Sequence, residues 1–473
     1  MEEEARGICP YASACGGCSL REMPYANQLE RKTERIRSLL KPFTEAVSPC
    51  VPGPQMECRN KVHLVFGREK GRVAVGFFSA ETHRMVRVDA CPMHGAWFSS
   101  LAAALEDWAN RMHIPPYVPQ TGRGLLRFAV ARKLGDGLML SIVSQNRKVP
   151  GLQALYARLK ELFPRVSLWL NENDRRDSAV FSRRFFHIAG ERKLFGTLLG
   201  VAFSLSPDAF FQVNEQMAAR LYQRILTLAQ QSGAQTVVDA YSGIGITSLL
   251  FARAGMRVIS VEQTPSAVAD AKEMARKNGL SGQIQALCGD CAKVLPRLRP
   301  EGETFFFVDP PRRGLGESVC RTIAEFAPRH VLYLSCGPDA LAEDVRRLTA
   351  AGYRVQLAEP FDLFPHTEHV ETVVLLSKGE IDSKRIRVEF PLDDMEITAF
   401  REKATYPQIK EYVLEQTGLK VSSLYISQIK RKCGLDVGDS YNKPKSEDAR
   451  VPLCPPEKET AIMDALRHFG MIS

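Results

Sequence analysis

Residues 236–255 read TVVDAYSGIGITSLLFARAG: an apolar, β-branched run, then a glycine-rich turn, then a helical pattern. That order is the first unit of an open α/β sheet, and it repeats downstream. RVISVE (257–262) leads to PSAVADAKEMARKNG, TFFFVDPP (304–311) to ESVCRTIAEFA, and HVLYLSC (330–336) to DALAEDVRRLTAAG. The repetition predicts a mostly parallel sheet covered by helices. The last two runs, YRVQLAEPFDLF and HVETVVLLSK, are joined by PHTE alone, too short for a helix, so they are expected as an antiparallel hairpin at the end of the sheet.

Outward from this core the pattern changes. Upstream, the helical stretch YANQLERKTERIRSLL is followed by short strand candidates such as RNKVHLVFG, GRVAVGFFS and LMLSIVS, with helices near 98–112 and 152–163. This is an α+β pattern. Downstream of Gly379 the sequence turns polar, with short helices at QIKEYVLEQTG and SSLYISQIKRKCG and a last one at EKETAIMDALRHFG, where Ile462, Ala465, Leu466 and Phe469 share a face and Gly470 suits a C-cap. Three domains are expected: 1–210, 211–378 and 379–473.

The 473 residues are 45% hydrophobic and 25% charged, as in a globular chain too long for one ordinary domain. Apolar runs are strand-sized, far short of the roughly 20 residues of a membrane span. The start, MEEEARGICPYASACGG, has neither the basic beginning nor the apolar core of a secretory signal, so a cytoplasmic address is expected. In a reducing compartment twelve cysteines point to metal or chemistry rather than to a disulfide framework. The net charge of +9 suits a polyanionic partner.

Five stretches carry chemistry. DAYSGIG (239–245) lies at a strand-to-helix turn, where glycines admit a ligand, and Glu262 ends the next strand, where a carboxylate can accept both hydroxyls of a ribose. The pattern differs from the dinucleotide motif, and S-adenosylmethionine, with no pyrophosphate to cradle, fits better. VDPPRRG (308–314) places Asp309 toward cofactor and base at the carboxyl edge of the sheet, with Arg312 and Arg313 placed to meet phosphate. Cys336, in SCGPDAL, stands at the same edge, where the amides and dipole of the following helix favour a thiolate nucleophile. LFPHTEHVETVVLL (363–376) brings Glu371 as a base, with His366 and His369 as alternative metal ligands. Finally Cys9, Cys15 and Cys18 form a C-x5-C-x2-C group, and Cys91 precedes a proline. Such a set suits an iron–sulfur cluster, with zinc as the competing occupant.

These motifs, together with SPDAFFQVN (206–214) and CRNKVHLVFG (58–67), stand in the order and spacing of the uracil-C5 RNA methyltransferases that form 5-methyluridine, and the chain resembles that family. The resemblance implies a Rossmann-like class I S-adenosylmethionine-dependent methyltransferase domain behind an N-terminal α+β RNA-binding domain. It implies that Gln212, Tyr241, Glu262 and Asp309 hold S-adenosylmethionine with Asp290 near the adenine, that Cys336 is the nucleophile and Glu371 the base, and that Cys9, Cys15, Cys18 and Cys91 hold a 4Fe-4S cluster. The cluster cysteines and PPRRGLG look most similar to the bacterial 23S ribosomal RNA branch without a TRAM domain. Transfer RNA is the alternative substrate, and a catalytically silent RNA-binding protein the alternative class. No membrane or protein partner is implied, and the segment from 379 onward lies outside the resemblance. Three positions depart from the family pattern: Gly337 where asparagine is usual, Ser242 in place of a common cysteine, and Ile246 in place of a polar residue.

Overall fold

The structure, a computed structural model, describes residues 9–82, 84–175, 177, 179–300, 302–378, 406–433 and 454–468. Two compact units are present, residues 1–381 and 382–473.

The larger unit begins with helix α1 (Tyr25–Leu40) and continues through β1 (Lys61–Glu69), β2 (Arg72–Phe78), β3 (Met85–Arg87), α2 (Ala96–Arg111), β4 (Leu126–Leu134), β5 (Gly137–Ser144), α3 (Leu152–Leu162), β6 (Arg165–Glu172) and β7 (Phe185–Gly190). These strands form one sheet in the order β3-β2-β1-β4-β5-β6-β7. Pairing is antiparallel except between β5 and β6, which α3 connects. Alternation decides the faces. Val62, Leu64 and Phe66 of β1 point into a core shared with Phe98, Leu101 and Leu105 of α2 and with Leu155 and Leu159 of α3. Lys61, His63 and Val65 therefore lie on the opposite face.

A two-stranded ribbon, β8 (Leu194–Leu198) and β9 (Val201–Leu205), leads to the second sheet. That sheet is built from α4 (Glu215–Gln231), β10 (Thr236–Ala240), α5 (Ile246–Arg253), β11 (Arg257–Glu262), α6 (Pro265–Lys277), β12 (Ile284–Cys288), α7 (Cys291–Val294), β13 (Thr304–Val308), α8 (Gly316–Phe326), β14 (His330–Ser335), α9 (Pro338–Ala350), β15 (Tyr353–Phe361) and β16 (Glu371–Lys378). The strand order is β12-β11-β10-β13-β14-β16-β15. Strands β10 to β14 are parallel, while β16 enters antiparallel between β14 and β15, forming the hairpin that the short PHTE link requires. The central strands are mostly apolar because both faces are covered, with Asp239 of β10 a buried exception. Phe305, Phe307, Leu332 and Leu334 pack toward α4, α5 and the ribbon, whereas Phe306, Val308, Val331 and Tyr333 pack toward α8 and α9.

Although α1 precedes the first sheet in sequence, it packs on the second. Ile36 and Leu40 join the core beside α9, and Val47 and Val51 extend the sheet through parallel bridges to Ala358 and Phe361 of β15.

In the smaller unit α10 (Tyr406–Thr417), α11 (Ser423–Lys432) and α12 (Pro456–His468) surround Ile409, Val413, Ile426, Ile429, Ile462 and Leu466. Ala465 joins them, while Phe469 and Gly470 lie outside the described residues. Of the basic run on α11, Lys430 is buried and Lys432 pairs with Glu459. No helix among the described residues is long and apolar enough to cross a membrane.

Candidate active site

Parallel strands end at one edge, and that edge collects the reactive side chains. Tyr241 follows β10, Glu262 ends β11, Asp309 follows β13 and Cys336 follows β14. Because β16 runs the other way, its first residue, Glu371, arrives at the same edge. Ser335 pairs with Thr372, so one further step of the antiparallel register sets Cys336 opposite Glu371.

Four carboxylates form a row along this edge. Glu371 is only 3% exposed, and burial followed by the charge of Asp309 holds its carboxyl well above the usual range, with Arg312 opposing. Asp309 is pushed up to about 7 by burial and by Asp239. Asp239 is in turn raised to about 6 by burial, with Glu262 adding to the shift and hydrogen bonds from Ser248 and Thr247 resisting it. Such a row welcomes a cation.

The thiol of Cys336 sits within this field. Burial, Glu371 and Asp309 push it up to about 11, against the pull of Arg312. Burial and the two carboxylates thus oppose the thiolate that the start of α9 is expected to favour. Arg312 faces Cys336, Glu371 and His369 (Nη2 to Nε2, 3.5 Å).

Two buried anchors fix the loops that carry these groups. Asp344 of α9 accepts hydrogen bonds from Leu315 N (2.6 Å), Gly316 N (3.2 Å) and the Tyr333 hydroxyl (2.9 Å), which pins the Pro310–Gly316 loop against β14. Gly314 must be glycine here, since its φ is +80° and a Cβ would lie 2.4 Å from Asp344 Oδ2. On the other side α1 grips the segment before Glu371. Lys32 Nζ donates to Asp362 Oδ1 (2.6 Å) and Phe364 O (3.1 Å), and the Tyr25 hydroxyl donates to Asp362 Oδ2 (2.8 Å). Gln28 brackets His366, with Nε2 donating to Nδ1 (3.2 Å) and Oε1 accepting from the backbone N (2.9 Å). His366 is thus a structural residue of the turn, with φ +64°.

The turn after β10 brings polar groups together at the same edge. Tyr241 adopts φ +65°, unusual for a bulky residue, and Ser242 N donates to Val261 O at 3.1 Å. Both carboxylate oxygens of Glu262 are set by backbone donors, Oε2 by Gly243 N (3.1 Å) and Oε1 by Thr264 N (2.7 Å), leaving their remaining lone pairs for hydroxyls. Asp290 caps α7 through Ala292 N (3.0 Å) next to Tyr241, whose hydroxyl it helps to push above its ordinary value after burial and Cys291. Gln212 bonds the Tyr222 hydroxyl, which in turn feels Asp309, Glu371 and Asp239.

Asp239 has a part that its place in DAYSGIG did not disclose. Its Oδ2 accepts from Thr247 Oγ1 (2.7 Å) and Ser248 Oγ (2.5 Å), while Oδ1 is buried with no side-chain or backbone hydrogen-bond partner among the described residues. An orphaned buried carboxylate oxygen at the cofactor edge fits the ammonium group of an amino-acid moiety. The signal was an acid inside an otherwise apolar strand. Phe210, 64% exposed beside buried Phe211, carried no such signal in the sequence.

Away from this edge, Cys9, Cys15, Cys18 and Cys91 line one enclosed cavity of about 100 Å³, together with Arg59 and His94. Burial raises Cys15 and Cys91, the latter to about 11, against backbone hydrogen bonds from Gly17 and Met93, with the neighbouring thiols adding a lesser push upward. Gly16 lets the cysteine loop run against the first sheet, since a Cβ there would lie 2.9 Å from Ala80 N. Among the described residues no group of three or more His, Cys, Asp or Glu is arranged to hold a metal ion.

The chain is similar to known RNA methyltransferases. Residues 301–379 match the family described as tRNA (uracil-5-)-methyltransferase, and residues 234–318 match that of RNA cap guanine-N2 methyltransferase. The chain is 34% identical over 381 residues to an RNA methyltransferase of Caldanaerobacter subterraneus subsp. tengcongensis, covering 78% of this chain and 84% of that protein. It is 32% identical to one of Halalkalibacterium halodurans, over 78% of this chain and 82% of the relative. Among solved structures, the Pyrococcus abyssi tRNA (uracil-54, C5)-methyltransferase in complex with S-adenosyl-L-homocysteine superposes with a TM-score of 0.65 at 24% identity, covering 78% of this chain and 86% of the other, and so shares the fold.

Proposed function

The chain belongs to the S-adenosylmethionine-dependent RNA methyltransferases of the uracil-5 type, and from that premise we propose that it methylates carbon 5 of a uridine in 23S ribosomal RNA through a covalent bond between Cys336 and carbon 6. The observation that supports the covalent reading is the nearness of Cys336 and Glu371, each one residue beyond the last pair of β14 and β16, with the Glu371 charge acting on the thiol. Carbon 5 of uracil is too weakly nucleophilic to attack a methyl sulfonium. Once the Cys336 thiol has given its proton to solvent, addition of the sulfur to carbon 6 converts the ring to an enolate whose carbon 5 carries the electron pair. S-adenosylmethionine, when bound, would supply the electrophilic methyl to that electron pair and leave as the neutral thioether S-adenosylhomocysteine, and the positive charge of its sulfonium would favour the ionised forms of the edge carboxylates. Glu371 then takes the proton from methylated carbon 5, and the electrons of that bond expel the Cys336 sulfur and restore the ring.

On this reading Asp239, Glu262, Asp290, Asp309, Tyr241 and Gln212 hold the cofactor, with Asp239 Oδ1 accepting from its ammonium group and Glu262 from its ribose. Both faces of the base must be reached, so the uridine leaves its stack, at a cost of a few kcal/mol that is least in a loop. Exposed Phe210, two residues from Gln212, offers the base an apolar surface.

We propose also that Cys9, Cys15, Cys18 and Cys91 hold a 4Fe-4S cluster. Their shared cavity and the thiolate-donor set suit one, and four thiolates also suit zinc. Anaerobic purification followed by iron and zinc analysis separates the two. Transfer RNA remains the second substrate reading, favoured by the description of the family matched at 301–379. The deciding experiment is methylation of separated 23S ribosomal RNA and transfer RNA by the pure protein, with mapping of the modified uridine.

A further inference from the structure

The face of the first sheet opposite α2 and α3 holds basic groups that the proposed reaction does not use. Antiparallel pairing of β1 with β4 sets Lys61 directly opposite Arg132, with His63 two residues along β1 on the same face. Arg132 is 5% exposed, and its Nη2 donates to Ala209 O at 2.9 Å. Its Nε and Nη1 are buried and have no partner among the described residues. No carboxylate contributes to the electrostatics of any of the three. Burial, then Arg132, lowers Lys61 to about 8, and burial alone lowers Arg132 to about 10. His63 keeps solvent access, yet crowding by protein, then Lys61 and Arg132, brings it to about 4. Two cations side by side, one of them buried with unmet donors, are unfavourable unless an anion completes the site.

The location says which anion. Asn60, next to Lys61, donates from Nδ2 to Gln212 O (3.2 Å) and from its backbone N to Val213 O (2.8 Å). Arg132 holds Ala209, so the basic pair is tied to the chain on both sides of exposed Phe210. An RNA chain that delivers a base near Phe210 carries a phosphate past this face. The planar, five-donor guanidinium and the ammonium match phosphate oxygens.

We propose that Lys61 and Arg132 form a phosphate-binding site that grips the substrate backbone beside the extruded uridine, a proposal that rests on the uracil-5 RNA reading above. The test is binding of a fluorescein-labelled short oligouridylate to the full chain across a potassium chloride series, for the wild type, Lys61→Met and Arg132→Met, with S-adenosylmethionine affinity measured in parallel by calorimetry. Methionine keeps the length and packing of either stem, and Lys61→Met keeps the test alive if the buried arginine proves necessary for folding. The expected result is affinity lowered about five-fold and a plot of log K against log salt shallower by about 0.7, the change that follows when the protein neutralises one phosphate fewer on a single strand. Affinity for S-adenosylmethionine stays unchanged. An unchanged salt slope in folded Lys61→Met overturns the site, and so does a weakening of cofactor affinity, which would assign the pair to the carboxylate of the cofactor. A wild type that methylates RNA but shows no slope change between variants sinks the phosphate site alone. The expected slope change in a protein that methylates no RNA upholds the anion site and sinks the uracil-5 reading.

Discussion

Cys336 and Glu371 come together at one edge of the sheet, each one residue beyond the Ser335–Thr372 pair of two antiparallel strands, and the Glu371 charge acts on the Cys336 thiol. The antiparallel insertion of β16 creates this meeting, since in an all-parallel sheet the first residue of a strand lies at the far edge. On the proposed reading, this thiol and this buried carboxyl serve two successive steps on one ring, attack at carbon 6 and proton removal at carbon 5.

The first prediction concerns that carboxyl. Glu371→Gln keeps the shape and hydrogen-bonding capacity of the buried group but cannot take a proton. Turnover is expected to fall by about 10² to 10⁴, with a methylated protein–RNA adduct accumulating and migrating as one band on a denaturing gel. Release of free methylated RNA at the wild-type rate would remove Glu371 from the proton transfer.

A second prediction follows from the carboxylate row. Asp309 has its pKa raised to about 7 in the folded chain, above its unfolded value near 3.8, so the folded state binds this proton more tightly. Its linkage therefore makes the cofactor-free protein lose stability as pH rises from about 4 to about 7. Asp309→Asn removes that dependence and is expected to stabilise the free protein at pH 8 by up to about 4 kcal/mol, read as a higher denaturant midpoint. Parallel pH profiles for variant and wild type would show that the carboxyl is not strained.

The grip of α1 on the Asp362–Thr367 loop is testable by double substitution. The side chains of Lys32 and Asp362 are 1% and 0% exposed, and removing one member of such a pair leaves a buried charge at a cost of about 3–5 kcal/mol. Lys32→Met alone is expected to lower the denaturant midpoint and methyl transfer together, and adding Asp362→Leu is expected to recover much of the stability. A neutral single substitution would show that the loop is held by other interactions.

Gly337 gives a sharper test of local geometry. A Cβ at this position would lie 2.5 Å from Arg312 O, so any side chain must displace the loop that carries Asp309 and Arg312. Gly337→Asn, which restores the residue usual in the resembling family, is expected to cost about 1–3 kcal/mol through overpacking and to reduce turnover on the order of 10²-fold through misplaced groups. Full activity in steady-state assays would mean that the loop yields freely.

Much of the second sheet was legible because its strands are buried on both faces and its turns carry glycine and proline. TFFFV and HVLYL announce central strands, and the four-residue PHTE link forces the antiparallel return that brings Glu371 to the edge. Strand β12 was not legible, since it lies at the sheet edge half exposed and carries no apolar run. The positions of Cys336, Glu371 and Asp309 followed from strand ends, but the protonation of the thiol did not. That depends on two carboxylates from other strands, whose nearness is a property of the assembled sheet. The ties from Lys32 to Asp362 and from Asp344 to Leu315 escaped the sequence for a related reason. Each joins segments far apart in the chain, and the cue for the first was only a lysine at an apolar helical position. The pairing of Lys61 with Arg132 required the register of β1 on β4, which alternation alone does not fix.

The most direct test of the account is the covalent step. RNA bearing 5-fluorouridine, incubated with the protein and S-adenosylmethionine, is expected to form an adduct that survives denaturation, because fluorine at carbon 5 cannot leave as a proton. Peptide mapping should place the bond on Cys336, and Cys336→Ala should abolish the adduct while retaining cofactor binding. An adduct that persists in Cys336→Ala, or its absence in a wild type that methylates uridine at carbon 5, would contradict the account.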